Sequence, residues 1–145
     1  MIMKKLLDDA TITKLRKSFA EKSEILSAYI FGSQVGGFAL PKSDLDLAVF
    51  VSDREKISER EIGRLLEEAK IDIHLEPDVS CVDLASPPLF LYQIIKNGVC
   101  IYEKDSRQRI DLEAKILDIY FDNQYLRNVY HHYLQKSLKE RTYGR

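Results

Sequence analysis

Two apolar stretches separated by a glycine-rich segment restrict most strongly how this chain can fold. The first, Ile25–Phe31, stops at Gly32, and the second is Leu45–Val51. Both are short and rich in β-branched and aromatic side chains, which predicts two strands. The nearly continuous apolar character of the second predicts cover on more than one face, or a central place in a sheet. Residues 32–41 hold three glycines and a proline, which predicts turns between the strands.

Asp44 and Asp46 stand at the start of the second predicted strand. Side chains two positions apart point to the same face, so the carboxylates would lie side by side. Such a pair repels unless one acid is protonated or a cation lies between them, and a hard divalent ion is the natural cation. Ordinary exposed acids are the alternative. Because Asp46 lies between two leucines, where an acid without a role is costly, we favour a metal site.

Gly32 and Ser33 come directly after the first predicted strand. A glycine allows the backbone to bend and to approach a ligand closely. If a helix begins after Ser33, its free N–H groups and the serine hydroxyl would receive a phosphate. An ordinary turn is the alternative for Gly-Ser alone.

A third carboxylate is expected from a strand predicted at residues 70–75. Asp72 alternates there with two isoleucines and shares a face with His74. If this strand neighbours the Asp44 strand, Asp72 would bind the same metal and act as general base. Glu76 is its rival, and a solvent-facing acid is the remaining alternative.

The other predicted elements complete a mixed architecture. A first helix would run to about Lys22 from a cap at Thr11 or Thr13, and a capping box at Ser58 and Glu61 would open another at residues 58–69. We expect three later elements: a short helix from Pro87-Pro88 to before Gly98, a strand at 99–102, and a helix from Arg107 to near Glu140 with a break around Asp122-Asn123. Strands mixed with helices predict an α+β fold, an α/β sandwich.

The domain organisation is predicted from length. The 145 residues predict a single domain, with a catalytic sheet and helices in residues 1–104 and a helical C-terminal extension in 105–145. Tyrosines crowd that extension. The stripe Leu126, Tyr130, Tyr133 and Leu134 is interpreted as core packing, with a partner surface as the alternative.

Composition excludes several classes of function. With 45% hydrophobic and 31% charged residues the chain is predicted to be globular. A net charge of −1 argues against direct binding of nucleic acid along a broad surface. Two lone cysteines, Cys81 and Cys100, fit a reducing cytoplasm. We expect no signal peptide at the start, and the apolar run 87–91 is too short to span a membrane.

Gly-Ser, ten residues and Asp-x-Asp together resemble the signature of the DNA polymerase β-like nucleotidyltransferase superfamily. The chain's small size resembles that of minimal nucleotidyltransferases, specifically the MntA-type antitoxins of HEPN/MNT toxin–antitoxin pairs. The stretches 30–33 and 43–49 match the core motif, 71–73 matches the strand of the third acid, and 87–102 resembles the family's next segment after that strand. The resemblance implies a polymerase β-like fold.

The resemblance also implies roles. Gly32 and Ser33 would hold the phosphates of ATP, Asp44 and Asp46 would carry Mg2+, and Asp72 would complete the metal site. Many relatives have a basic residue soon after Gly-Ser; here Lys42 is the only cation of that loop. Antitoxins of this type form hetero-oligomers with a HEPN RNase toxin and transfer AMP to one of its tyrosines. The alternatives are an antitoxin that only covers its toxin and a nucleotidyltransferase acting on a small molecule.

Overall fold

A four-stranded sheet with helices on both faces forms the body of the protein. The structure, a computed structural model, describes residues 9–31, 45–69 and 77–143. The described elements, in chain order, are α1 (Asp9–Ala20), β1 (Ile25–Phe31), β2 (Leu45–Val51), α2 (Glu59–Glu68), β3 (Pro77–Val82), α3 (Pro88–Asn97), β4 (Val99–Glu103) and α4 (Ser106–Tyr143).

The strand order is β3-β2-β1-β4. Strand β1 runs antiparallel to both β2 and β4, whereas β2 and β3 are parallel. Parallel neighbours need a crossover between them, and α2 lies in that connection. This mixed sheet with flanking helices confirms the predicted α+β fold.

Two apolar cores cover the two faces of the sheet. Alternate residues of β2 point to opposite faces, so Leu47 and Val49 pack with α1 and α2, whereas Ala48 and Phe50 pack with α3 and α4. All four of these side chains are buried. The almost unbroken apolar sequence of β2 is therefore explained by burial on both faces, as its sequence predicted.

Several predicted elements are confirmed. Strands β1 and β2 have the predicted bounds. The Ser58 side chain accepts the backbone N–H of Glu61 at 3.4 Å at the start of α2. Helix α3 ends at Gly98, whose N–H donates to the Ile94 carbonyl at 2.7 Å.

Other expectations need correction. Thr11 and Thr13 lie within α1 rather than capping it, and the Thr13 hydroxyl donates to the Asp9 carbonyl at 2.8 Å. The helix therefore already includes Asp9, and it ends at Ala20 rather than Lys22. The strand predicted at residues 70–75 lies outside the described residues, and β3 was not predicted.

Helix α4 is continuous over 38 residues, so the predicted break around Asp122-Asn123 was wrong. No glycine or proline occurs within it. Asp and Asn each cost at most about 0.7 kcal/mol in a helix, which is too little to interrupt one this long.

The stripe of Leu126, Tyr130 and Tyr133 on α4 is exposed, so the interpretation as core packing was wrong too. Within the described part of the chain, no helix is long and apolar enough to cross a membrane.

Polar contacts fasten α4 and α1 to the sheet. The Arg109 guanidinium bonds Glu103 of β4 and, at 3.0 Å, Glu113 of its own helix. Glu113 also accepts the hydroxyl of Tyr29 in β1. On the other face, Arg16 of α1 donates to the carbonyl of Ile101 in β4 at 2.8 Å. The first third of α4 is therefore held in a fixed direction relative to the strands.

Candidate active site

A row of three residues crosses the sheet where β1 ends and β2 begins. Phe31 pairs with Asp46, and Asp46 pairs with Asp78 of β3. Paired residues on neighbouring strands lie about 4.8 Å apart and project to the same face. That face is the one covered by α3 and α4, because Ala48 and Phe50 share it with Asp46.

Asp46 and Asp78 place two carboxylates side by side at the rim of the core. Asp46 is half-buried next to the fully buried Leu47, and Asp78 is exposed. Carboxylate oxygens are donors that Mg2+ prefers, and the backbone pairing makes these two side chains neighbours. This pair therefore fits part of a divalent metal site. Within residues 9–31, 45–69 and 77–143, no group of three His, Cys, Asp or Glu side chains lies close enough to complete one.

Among the site residues predicted from sequence, Asp46 is the one that the structure describes. The others lie outside the described residues: Gly32, Ser33, Lys42, Asp44, Asp72 and its rival Glu76. Their roles remain predictions. The structure adds that Asp46 lies at the end of the sheet where β1 stops. Its partner there is Phe31, the residue that precedes Gly32 in the sequence.

Sequence reasoning missed Asp78. The signal was the alternation in β3, where Val79 and Cys81 pack into one core and Val82 into the other, which puts Asp78 and Val82 on one face. What the sequence could not supply was the register between β2 and β3. Only that register identifies Asp78 as the neighbour of Asp46.

The start of α3 lies against this end of the sheet. The rings of Phe31 and Phe90 meet edge to face with centroids 5.8 Å apart. A cleft of about 540 Å3 separates the first residues of α3 from α4; it is lined by Pro87, Pro88, Leu89, Tyr120, Asn123, Gln124, Arg127 and Asn128. A larger cleft of about 710 Å3 lies between α1 and β4, two strands from Asp46. The smaller cleft is the one next to the Phe31 end of the sheet.

Burial raises the pKa values of three side chains of the sheet. Burial, followed by the hydrogen bond to Glu113, raises the pKa of Tyr29. Burial and the nearby Glu59 carboxylate raise the pKa of Cys81 to about 12. Burial also raises the pKa of Cys100. These groups are held protonated, and we assign them structural roles.

A match to a family model identifies the class of protein to which this fold belongs. Residues 13–107 match the family described as polymerase beta, nucleotidyltransferase, which covers more than half of the chain. The chain belongs to this family. Enzymes of this class transfer a nucleotide from a nucleoside triphosphate with the help of divalent metal ions. No curated protein matches the chain.

Solved structures with a similar fold come from toxin–antitoxin complexes. A chain of a toxin–antitoxin complex with AMP-PNP has a TM-score of 0.63 at 23% identity, covering 89% of this chain and 99% of the other. A chain of the MntA-HepT complex has a TM-score of 0.59 at 18% identity, covering 88% and 99%. The complex of a tri-AMPylated Shewanella oneidensis HEPN toxin with MNT antitoxin has 0.58 at 18%, covering 87% and 97%. These likenesses show the fold.

Proposed function

We propose that this chain is a magnesium-dependent adenylyltransferase that transfers AMP from ATP to a tyrosine of a HEPN-family toxin and thereby neutralises it. The observation that carries the proposal is the pairing of Asp46 with Asp78 at the end of β1, in a nucleotidyltransferase domain. The toxin partner is supported by the AMPylated HEPN toxin and MNT antitoxin named for one structural relative.

The reaction needs one bond to form and one to break. The tyrosine oxygen attacks the α-phosphorus of ATP, the bond to the bridging oxygen breaks, and pyrophosphate leaves. Bound Mg2+ would stabilise the charge on the attacking and leaving oxygens. Asp44 and Asp46 would hold the metal, while Gly32, Ser33 and Lys42 would bind the phosphates.

A third carboxylate would complete the metal site and take the proton of the tyrosine. The sequence predicts Asp72 for this role, with Glu76 as its rival. Asp78 is a further candidate because, among described residues, it pairs directly with Asp46. We propose Asp78 on this ground. Asp78→Asn is expected to lower the rate of AMP transfer at least about tenfold, and Asp72→Asn and Glu76→Gln less. A large loss in Asp72→Asn with a normal Asp78→Asn would return the role to Asp72.

The test of the function is transfer of labelled AMP. The purified chain is incubated with α-labelled ATP, Mg2+ and a HEPN-family toxin from the same organism. We expect label on a toxin tyrosine and loss of RNase activity. Asp46→Asn should lower the rate at least about 100-fold, because metal ligation supplies several kcal/mol of transition-state stabilisation.

The matched control is Asp111→Asn, the same change at an exposed position of α4. It should leave the rate unchanged. An unlabelled toxin with the wild-type chain would refute the transfer. Full neutralisation by Asp46→Asn would favour an antitoxin that only covers its toxin, and labelled aminoglycoside with an unlabelled toxin would favour a small-molecule acceptor.

A further inference from the structure

The second half of α4 extends away from the body of the protein. Tyr120 stacks on Tyr92 of α3 with centroids 3.9 Å apart, and Phe121 meets the same ring. Beyond that contact, residues 123–139, here called the arm, are exposed except Val129. At 1.5 Å per residue the arm is about 25 Å long.

The arm continues the face by which α4 packs on the sheet. Leu112 and Ile116 contact the core. The same spacing of three and four residues leads on to Leu126, Tyr130 and Tyr133, which are 61%, 63% and 64% exposed. A core-like face therefore runs past the end of the body, where nothing described covers it.

The direction of α4 brings the arm to the catalytic end of the sheet. The helix begins where Glu103 pairs with Ser27, and one turn after Arg109 it reaches Tyr29, two residues before Phe31. It then borders the cleft at the start of α3, next to the Phe31 contact. A protein that is bound to the start of the arm would thus lie at the same end of the sheet as Asp46.

The charge of the arm indicates what kind of partner fits. It holds three cations, Arg127, Lys136 and Lys139, and the acids Asp122 and Glu140 adjoin it on the same helix, so cations are in excess there, whereas the whole chain has a net charge of −1. Three cations are few for RNA, and the aliphatic side chains gain nothing from phosphates. A protein surface with apolar and acidic side chains is complementary to this arm.

We infer that the arm is the docking surface for the acceptor protein, which presents an acidic surface with apolar contacts to it. The inference rests on the proposed function, because it places the AMP acceptor at the same end of the sheet as the catalytic carboxylates. Tyrosine is enriched at the energetic centres of interfaces, so Tyr130 and Tyr133 would contribute most.

The test compares two charge-matched variants of the arm. Leu126→Glu with Tyr130→Glu puts two acids on the apolar face; His131→Glu with Gln135→Glu puts two acids, equally spaced, on the opposite side. With the same HEPN-family toxin, we expect the first variant to raise Kd and the KM for toxin at least about tenfold. Its kcat, helical circular dichroism and ATP binding should be unchanged. The second variant should behave like wild type.

Charge reversal tests the acidic nature of the partner. Arg127→Glu with Lys136→Glu should weaken toxin binding and remove most of its salt dependence. Tighter binding by this variant would overturn the inference.

The remaining outcomes separate the inference from the function. If wild type labels the toxin and the apolar-face variant has the same KM, the docking surface is refuted and the function stands. If wild type binds the toxin through the arm without transferring AMP, the docking surface stands and the proposed function falls.

Two other occupants of the arm would overturn the inference. If light scattering shows that the wild-type chain is dimeric and the apolar-face variant monomeric, the arm binds a second copy. If the variant abolishes RNA binding while the toxin Kd stays unchanged, the arm binds RNA.

Discussion

Tyr29 fastens the longest helix to the centre of the sheet. Its hydroxyl donates to Glu113 of α4, and its ring meets Phe50 edge to face at 5.5 Å. The side chain is 2% exposed. Glu113 has a second partner, Arg109, at 3.0 Å, so one removed hydroxyl would not leave the carboxylate unpaired.

Tyr29→Phe should therefore destabilise the fold by about 1.5 kcal/mol, the lower end of the range for a hydrogen bond to a charged group, because the carboxylate keeps its other partner. The free energy of unfolding in urea measures the effect. Tyr125→Phe removes a hydroxyl from a side chain that is 68% exposed and should change that free energy by less than about 0.5 kcal/mol. Equal values for the two variants would show that the Glu113 contact contributes nothing.

Cys81 makes stability depend on pH in the alkaline range. Its pKa is raised to about 12 from 9.0. Below pH 9 the thiol is protonated in both states. Above pH 9 the unfolded chain releases its proton and the folded chain does not, so the free energy of unfolding falls as pH rises towards 12. The slope from this group is at most about 1.4 kcal/mol per pH unit. In Cys81→Ala the free energy of unfolding, measured in urea between pH 9 and 12, should fall less steeply with pH than in the wild type. An unchanged slope would contradict a thiol that stays protonated in the folded state.

At this scale, the sequence predicted one half of the carboxylate pair and missed the other. Asp46 was recognisable because an acid between two leucines of a strand is costly without a role. Asp78 lies between a proline and a valine, and this local sequence does not distinguish it from an ordinary surface acid. Its meaning comes from the strand beside it, and the register of two parallel strands joined by a long crossover is not fixed by a turn length in the sequence.

Two glycines next to or within helices have opposite roles. Gly63 lies within α2, and nothing stands within 4 Å of a Cβ built there. Gly98 ends α3 in an extended conformation, and a Cβ there would stand 2.4 Å from the Ile94 carbonyl oxygen.

Gly63→Ala is expected to stabilise the protein by about 0.5–1 kcal/mol, because alanine loses less backbone entropy in a helix. Gly98→Ala should destabilise it, since the backbone around Ile94 must shift to admit a methyl group. Thermal unfolding of both variants measures the difference. A stabilising Gly98→Ala would show that this end of α3 yields without cost.

Local patterns predicted helices and strands better than they predicted how the longest helix is used. The bounds of β1, β2 and α3 could be read from apolar runs and from glycine and proline. For α4, apolar spacing could not distinguish a face covered by its own domain from one left open. The helical spacing of Tyr130 is the same whether its face is covered or open, and which of the two occurs depends on how the other elements pack.

Nucleotide binding should be visible in the stability of the whole molecule. A ligand at 100 times its Kd adds about 2.7 kcal/mol to the free energy of unfolding. For a chain of this size we expect ATP with Mg2+ to raise the unfolding midpoint by about 5–10 °C. Asp46→Asn should remove most of the increase. ATP that stabilises equally with and without Mg2+ would argue against metal-dependent binding.

The division into a catalytic part, residues 1–104, and a helical extension, 105–145, remains a prediction. The structure shows why a boundary drawn by sequence alone is ambiguous. Ile116 of α4 is buried in the same core as Phe50 of β2, although it lies beyond the predicted boundary. The first third of α4 therefore packs as part of the body, and the arm begins later.

The bond from Arg16 to Ile101 bears on how the protein behaves when concentrated. Strand β4 pairs with β1 on one side, and its outer edge could serve as a template for a strand of another molecule. The charged guanidinium of Arg16 occupies the carbonyl of Ile101, the residue of β4 that has no partner in the register with β1. An incoming strand would have to displace it and remove its charge from water. Edge-to-edge association through β4 is thereby discouraged at Ile101, close to where α1 covers the sheet.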